Sequence, residues 1–169
     1  AAAREIGLDP SLIAKYISSF HSIPHRLEYL GKIEKLDFYN DSKATNFDSS
    51  ATGLKAIPSP IILIAGGKRK KGDCLNWIEE IKKSTNGVIL FGDCAKGLKK
   101  TISGYSYKGE IIVEKSLEDA TKASIEMARE TNSKSILLSP ACASFDQYQN
   151  YEERGDHFKE LVKKYGIIK

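Results

Sequence analysis

Short apolar runs alternate with amphipathic stretches along most of this chain. The runs at 60–65, 87–91, 110–113 and 135–139 are rich in Ile, Leu and Val, and each is followed by apolar residues at helical spacing. Strands of this kind that alternate with helices are typical of a parallel sheet with helices on both faces. The pattern predicts an α/β fold of the Rossmann-like kind, with a doubly wound, mostly parallel sheet.

The same periodicity places the helices and an N-terminal β-hairpin. The helices are predicted at 47–57, 75–83, 95–102, 117–130 and 145–165. The last helix is predicted to begin after Ser144, because Ser144-x-x-Gln147 matches a capping box. Before the first of these helices, the runs 27–31 and 36–39 are close enough to pair as a hairpin, with Gly31-Lys32 in the bend.

Residues 1–24 are predicted to lie outside the main domain. Apolar residues at helical spacing predict two short helices, 1–6 and 10–20, and Pro24 then breaks the pattern. The chain starts inside the first helix without an initiator Met, so we expect a piece of a longer polypeptide. We predict the end of a preceding domain with its connector at 1–24 and a main domain at 25–169.

Composition narrows the classes of protein that fit. The 169 residues are 41% hydrophobic and 28% charged, which suffices for one compact domain with a short appendage. The net charge is only +4, and the dense basic cluster at 68–71 lies between glycines and not along a helix, so no nucleic-acid partner is expected. No membrane segment is expected either, because no apolar stretch approaches the roughly 20 residues that span a bilayer.

The spacing of the cysteines indicates the kind of cellular compartment in which the protein is found. The three cysteines are widely separated and form no C-x-x-C pair. This argues against a disulfide framework or a zinc knuckle, and it favours a reducing, cytoplasmic setting.

Three segments rich in polar and small residues follow predicted strands. They are Asn40-Asp-Ser-Lys-Ala-Thr-Asn46, Gly66-Gly-Lys-Arg-Lys-Lys-Gly-Asp73 and Ser139-Pro-Ala-Cys-Ala-Ser-Phe-Asp146. In doubly wound sheets, ligands bind outside the carboxyl ends of the strands. The third segment is also predicted to lead into a helix N-terminus, which favours anions. Together the segments predict one polar site built from several strand ends.

The first segment contains more chemistry than a helix cap requires. A cap at Thr45 or Asn46 explains at most two of its residues and leaves Asp41 and Lys43 unexplained. A carboxylate at Asp41 could bind ribose hydroxyls, and Lys43 could offset negative charge on a substrate.

The second segment is a basic glycine loop. Gly67 to Gly72 has the glycine spacing of a phosphate-binding P-loop, but Asp73 follows where that motif requires Lys. One of the lysines at 68, 70 and 71 is therefore predicted to meet a carboxylate or phosphate as a point charge, without the remaining P-loop chemistry.

Together these loops resemble the C-terminal domain of the D-glutamate-adding ligases of the Mur ligase family. The motifs that carry the resemblance are His25-Arg-Leu-Glu28, Asn40-Asp-Ser-Lys-Ala-Thr-Asn46, Ile64-Ala-Gly-Gly67, and Leu138-Ser-Pro-Ala-Cys-Ala-Ser-Phe-Asp146 followed by Asn150-Tyr-Glu-Glu-Arg-Gly155. Other Mur ligases and folylpolyglutamate synthases share the architecture but differ at the second motif.

The resemblance implies one domain of a three-domain enzyme of peptidoglycan synthesis. In the family, ATP converts the carboxylate of UDP-N-acetylmuramoyl-L-alanine to an acyl phosphate, which the amine of D-glutamate attacks. The N-terminal and central domains, with the P-loop and the Mg²⁺ ligands, are expected outside this chain. The isolated chain is therefore predicted to be inactive.

The motif positions also imply roles for individual residues. Arg26 and Asp41 are expected to contact ATP when the domains close. Lys43 resembles a family lysine near the reacting groups, and it is the possible catalytic residue of this chain.

The D-glutamate site is expected to consist of Thr45, Lys70 and Ser144, with backbone at Tyr151. Two departures from the family pattern affect it. Position 151 is Tyr where Phe is usual, and the unusually basic loop leaves Lys71 as an alternative to Lys70.

A different class of function also fits the sequence. A stand-alone, non-catalytic module that binds an acidic amino acid or a nucleotide would explain the missing P-loop without any further domain.

Overall fold

The computed structural model describes residues 5–18, 23–68 and 71–166. Within these ranges the elements, in chain order, are α1 (Pro10–Ser18), β1 (Glu28–Ile33), β2 (Leu36–Asn40), α2 (Phe47–Ala56), β3 (Ile61–Gly66), α3 (Leu75–Ser84), β4 (Thr85–Phe91), α4 (Ala95–Gly104), β5 (Glu110–Val113), α5 (Leu117–Glu130), β6 (Ser135–Leu138) and α6 (Tyr151–Lys164).

The strands form one six-stranded sheet in the order β1-β2-β6-β3-β4-β5. Strand β1 is antiparallel to β2, and the remaining neighbours are parallel. The predicted mostly parallel, doubly wound fold is therefore confirmed. Strand β6 is the last along the chain, yet it lies between β2 and β3. This insertion brings the carboxyl ends of β2, β6 and β3 side by side.

Alternation along the central strands divides the core between the two faces of the sheet. On β3, Ile61 and Leu63 pack with α2, α3 and α4, whereas Ile62 and Ile64 pack with α5 and α6. All four side chains are fully buried. Burial of each stabilises the fold by roughly 1.5–3 kcal/mol, which explains a strand that is apolar on both faces.

The N-terminal hairpin is confirmed, but its predicted bend is wrong. The turn lies at Glu34-Lys35, where Glu34 has φ 53°. Gly31, with φ 119°, lies inside β1, where the register shifts between Tyr29 and Gly31. The glycine therefore marks a β-bulge, the other common reason for an isolated glycine in a strand.

The predicted start of the last helix is also wrong, because α6 begins at Tyr151 and not at 145. The side chain of Asn150 caps α6 by accepting the Glu153 N–H at 2.7 Å. The carbonyl of Ser144 accepts the Tyr148 N–H at 2.9 Å, which closes a turn that does not continue as helix. Ser and Asn are N-cap residues of about equal strength, so the capping patterns alone do not choose between the two possible starts.

The predictions for residues 1–24 fall only partly on residues that the structure describes. Helix α1 corresponds to the predicted helix at 10–20, whereas most of the predicted helix at 1–6 lies outside the described residues. The domain boundary at residue 24 stays a prediction. Among the described helices, none has both the length and the apolar character needed to cross a bilayer.

Candidate functional site

Three loops meet at the carboxyl edge of the sheet. They are the β2–α2 loop (41–46), the β3–α3 loop (67–74, described except for 69–70) and the β6–α6 loop (139–150). The Ala141 N–H donates to the Ala44 carbonyl at 2.9 Å, and Lys68 and Ala143 exchange backbone hydrogen bonds of 2.8 and 3.0 Å. The outer two loops are thus each bonded to the β6–α6 loop between them.

The buried guanidinium of Arg154, on α6, fixes this arrangement. Its Nε donates to Ser42 Oγ at 3.0 Å, its Nη2 donates to the Ser42 carbonyl at 2.8 Å, and its Nη1 donates to the Cys142 carbonyl at 3.1 Å. The side chain is fully buried. Burial lowers the pKa of Arg154 to about 10, so the group stays charged at neutral pH. One cation therefore clamps two loops to the start of α6.

The sequence motif contained Arg154, but no role was predicted for it. The sequence does contain a sign that Arg154 is buried. Arg154, Phe158 and Leu161 have the i, i+4, i+7 spacing of one helix face. All three side chains are buried in the structure. An arginine on a core-facing stripe is rarely left without partners, so the pattern could have indicated a buried network.

Asp41 lies at the base of the candidate site. Its Oδ1 accepts the Leu27 N–H at 3.2 Å, and its Oδ2 accepts the Ser139 hydroxyl at 2.8 Å. The residue is 4% exposed. Burial raises the pKa of Asp41 to about 6, against smaller opposing effects from these hydrogen bonds and from the charge of Arg26.

A pocket of about 240 Å³ opens beside Asp41, between the hairpin entry and α2. It is lined by Arg26, Leu27, Asp41, Lys43, Ala44, Ser49, Thr52 and Gly53. A Cβ atom at Gly53 would lie 2.7 Å from Asp41 Oδ2, so a glycine is required for the carboxylate to sit there. Two cationic side chains beside a carboxylate suit a ligand with both phosphate and hydroxyl groups.

The entry to this pocket is held by His25 and Asn40. Asn40 Nδ2 donates to His25 Nδ1 and to the Gly155 carbonyl, both at 3.1 Å. Burial, followed by the charge of Lys159, lowers the pKa of His25, which agrees with an Nδ1 that accepts a hydrogen bond. His25 has φ 62° and Leu27 φ 45°, so the chain bends sharply on both sides of Arg26.

The remaining predicted site residues are distributed around the same edge. Lys43 Nζ lies 5.2 Å from the centroid of the Tyr151 ring, within the range of a cation–π contact. Thr45 is half-buried next to Ala44, and Ser144 is 2% exposed next to Ala143. Lys70 lies outside the described residues.

The structure thus brings Arg26, Asp41 and Lys43 into one pocket. It places Thr45 and Ser144 on loops that are bonded to each other, and it sets Tyr151 at the first turn of α6. Across 5–18, 23–68 and 71–166, no group of three or more His, Cys, Asp or Glu side chains is arranged to hold a metal ion.

The raised pKa of Asp41 predicts a pH-dependent stability. Because the folded value of about 6 exceeds the ordinary value of 3.8, the native state binds its proton more tightly, and ionisation destabilises the fold as pH rises between them. The full cost, reached above that window, is roughly 3 kcal/mol. Asp41→Asn should therefore gain stability relative to the parent chain between pH 4 and 7, as measured by urea unfolding. Asp73→Asn, at an exposed carboxylate, is the control, and parallel pH profiles for Asp41→Asn and the parent would contradict the burial argument.

Comparison with solved structures gives the class of domain. The fold matches the UDP-N-acetylmuramate–alanine ligase of Thermotoga maritima with a TM-score of 0.61 at 14% identity, over 97% of this chain and 35% of that one. It matches the folylpolyglutamate synthase of Mycobacterium tuberculosis with a TM-score of 0.62 at 12% identity, over 92% of this chain and 36% of that one. The fold is that of a Mur ligase C-terminal domain.

Sequence comparison identifies the relatives more narrowly. The chain is 71% identical over its full 169 residues to the UDP-N-acetylmuramoylalanine–D-glutamate ligase of Prochlorococcus marinus strain NATL2A, and it spans 36% of that protein. The ligase of the same name from Crocosphaera subtropica is 47% identical over 97% of this chain and 36% of its own length. No protein-family model matches.

The chain is a homologue, over its whole length, of the C-terminal part of the UDP-N-acetylmuramoylalanine–D-glutamate ligases. The resemblance predicted from its motifs is therefore confirmed. The chain spans about a third of the length of these relatives.

Proposed function

We propose that this chain is the C-terminal domain of an ATP-dependent ligase that joins D-glutamate to UDP-N-acetylmuramoyl-L-alanine in peptidoglycan synthesis. The observation that carries the proposal is the 71% identity over the whole chain to a ligase of this name. In the proposed reaction, ATP phosphorylates the carboxylate of UDP-N-acetylmuramoyl-L-alanine. The D-glutamate amine then attacks the acyl phosphate and releases phosphate.

The pocket beside Asp41 is the proposed nucleotide contact. Arg26 supplies a permanent positive charge for phosphate oxygens, and Asp41 supplies acceptors for ribose hydroxyls. Both line the same pocket, which supports a shared ligand. Mg²⁺, if the ligase uses it with ATP, is expected to be held by residues outside this chain.

The loops at the sheet edge form the proposed D-glutamate site. The two carboxylates of D-glutamate need hydrogen-bond donors and a cation, which Thr45, Ser144 and Lys70 would supply. Helix α6 starts at Tyr151, and the first N–H groups of a helix have no partner within it and favour anions. Tyr151 is the first residue of this helix, which supports the backbone role proposed for it.

Lys43 is the proposed group nearest the reaction. Its ammonium lies over the Tyr151 ring, between the pocket beside Asp41 and the start of α6. A cation in that place would offset the charge that develops on the acyl phosphate as the amine attacks. The main contribution of the domain to rate is to hold the amine close to that group.

Catalysis in this proposal needs the rest of a longer polypeptide. Ile6, Leu8 and Leu12 are 77%, 50% and 47% exposed, and such exposed apolar side chains are available for contact with a preceding domain. The three free cysteines fit a reducing cytoplasm, where we place the enzyme.

The test is a phosphate-release assay on the complete polypeptide that carries this chain. Release should require UDP-N-acetylmuramoyl-L-alanine, ATP and D-glutamate together, with L-glutamate as the control. Release without the amino acid, or no stimulation by D-glutamate, would refute the proposed reaction and favour a non-catalytic binding module.

Lys70→Ala tests the proposed carboxylate contact. In the complete ligase it should raise the KM for D-glutamate by about tenfold or more, because a charge-assisted hydrogen bond is worth roughly 1.5–3 kcal/mol, with a smaller change in the KM for ATP. Lys71→Ala is the matched control, and a larger effect there would transfer the role to Lys71. Equal changes in both KM values for Lys70→Ala would contradict a specific contact.

A further inference from the structure

Two thiols lie in contact beneath the loops of the candidate site. The Sγ atoms of Cys94 and Cys142 are 3.2 Å apart, and the two residues are 8% and 0% exposed. Neither thiol is in a disulfide. Because a disulfide has an S–S length of about 2.05 Å, the two sulfur atoms would need to approach by only about 1.1 Å to bond.

The backbone holds the two cysteines in register with each other. The Cys94 N–H donates to the Gly67 carbonyl at 3.0 Å, and the Ala143 N–H, next to Cys142, donates to the Lys68 carbonyl at 3.0 Å. The two segments are thus bonded to adjacent residues of the β3–α3 loop. The backbone hydrogen bonds therefore bring the two cysteines close together, whatever their side-chain rotamers.

The two thiols also differ in acidity, as oxidation to a disulfide requires, because one must act as a thiolate. Cys94 is the N-cap residue of α4, where the helix dipole favours a thiolate. The hydrogen bond between the two sulfur atoms lowers the pKa of Cys94, and the same bond together with burial raises the pKa of Cys142. Cys94 is therefore the nucleophile, and Cys142 is the partner that keeps its proton.

We propose that Cys94 and Cys142 form an oxidative modification site, in which hydrogen peroxide converts the two thiols to an intramolecular disulfide. The Cys94 thiolate attacks one peroxide oxygen, which breaks the O–O bond, gives a sulfenic acid and releases hydroxide. The Cys142 sulfur then displaces the sulfenic hydroxyl. In total, two thiols and one hydrogen peroxide give one disulfide and two waters. A thiol reductant reverses the reaction by exchange.

The disulfide would change the loop that carries Ser144. The Cys142 carbonyl is a partner of Arg154 at 3.1 Å, so a shift of Cys142 toward α4 pulls on the clamp described above. This consequence, unlike the disulfide itself, rests on the proposed function. Displacement by about 1 Å near a reacting centre can cost up to about 100-fold in rate, so a comparable loss of D-glutamate-dependent turnover is expected on oxidation.

The chemistry is tested on the folded 169-residue chain with hydrogen peroxide, followed by thiol counting and peptide mapping. The expected result is the loss of two of the three thiols, a linked peptide pair containing Cys94 and Cys142, and full recovery with dithiothreitol. Oxidised glutathione should react more slowly, since Cys94 is too buried to admit a bulky disulfide.

Cys74→Ser is the matched control. Cys74 is also an N-cap residue, of α3, but it is more exposed than Cys94. Its removal should leave the linkage intact, whereas Cys94→Ser should abolish it. Linkage through Cys74, or oxidation of Cys94 to sulfinic acid without linkage, would overturn the proposal. Because the linked peptides are sought in the parent chain, the result does not depend on the folding of any variant.

A ligase activity assay distinguishes the proposed disulfide from the proposed function. In the complete ligase, oxidation should lower D-glutamate-dependent turnover in the parent and in Cys74→Ser, but not in Cys94→Ser. Unchanged turnover with a formed disulfide would refute the effect on the loop. Absence of any ligase activity in the reduced protein would refute the proposed function and leave the disulfide standing.

Discussion

Arg154→Met is expected to cost the domain roughly 3–5 kcal/mol of unfolding free energy, because it leaves buried groups without their charged partner. The carbonyls of Ser42 and Cys142 lose their donors. Asp146 loses the nearby positive charge that acts on it. A domain is stable by only about 5–15 kcal/mol in total, so urea unfolding should show a large shift of the midpoint.

Arg129→Met is the matched control for this substitution. Arg129 also forms an ion pair, with Glu34 at 2.8 Å, but its side chain is 53% exposed. An exposed pair of this kind is worth about 1 kcal/mol or less. A similar loss for both variants would mean that removal of an arginine, and not of the buried clamp, causes the change. Hydrogen exchange provides a second readout, since amides of the β6–α6 loop should exchange faster only in Arg154→Met.

Gly155→Ala is expected to destabilise the protein, although alanine normally stabilises a helix by up to about 1 kcal/mol over glycine. Gly155 lies within α6, and a Cβ atom there would fall 2.2 Å from His25 Nδ1 and 2.9 Å from its Cγ. The ring is buried and bonded to Asn40, so it has little freedom to move. Overpacking of this kind costs about 1–3 kcal/mol, measured by the same urea unfolding. The displaced segment contains Arg26, so a loss of nucleotide affinity is expected as well if the nucleotide contact proposed above is correct.

Two further variants make this prediction specific. Gly104→Ala, at the end of α4, places its Cβ where no atom lies within 4 Å, and it should leave stability unchanged or raise it. His25→Ala combined with Gly155→Ala removes the ring that clashes, so the double variant should lose less stability than the two single losses combined. Full additivity, or a stable Gly155→Ala, would show that α6 accommodates the methyl group by another movement.

The local sequence was sufficient to predict those helices and strands whose conformation is determined by their own residues. Strand β3 is apolar at every position and fully buried, and the alternation of such runs with amphipathic helices predicted the fold class correctly. Helix α5 was predicted from its periodicity with its observed bounds, and the side chain of Ser116 caps its start by accepting the Asp119 N–H. The hairpin was also predicted, since its two runs lie close together along the chain.

Competition between equivalent local signals produced the errors. Ser144 and Asn150 both begin a capping pattern, and only the second starts a helix. Gly31 fits either a turn or a bulge, and the cross-strand register with β2 decided for the bulge. In both places the sequence allows two conformations whose local energies are similar, and packing against other elements selects one.

The sequence alone determined the kind of chain this is, including its α/β class, its motifs at the strand ends and its resemblance to the D-glutamate-adding ligases. Only the tertiary structure decided that β6 enters between β2 and β3, and that Arg154 clamps the loops that meet there. It also decided that Cys94 and Cys142 touch. The physical reason is the same for all three features. Each one brings together residues that are far apart along the chain, and such contacts depend on strand order and burial, which no local sequence pattern encodes.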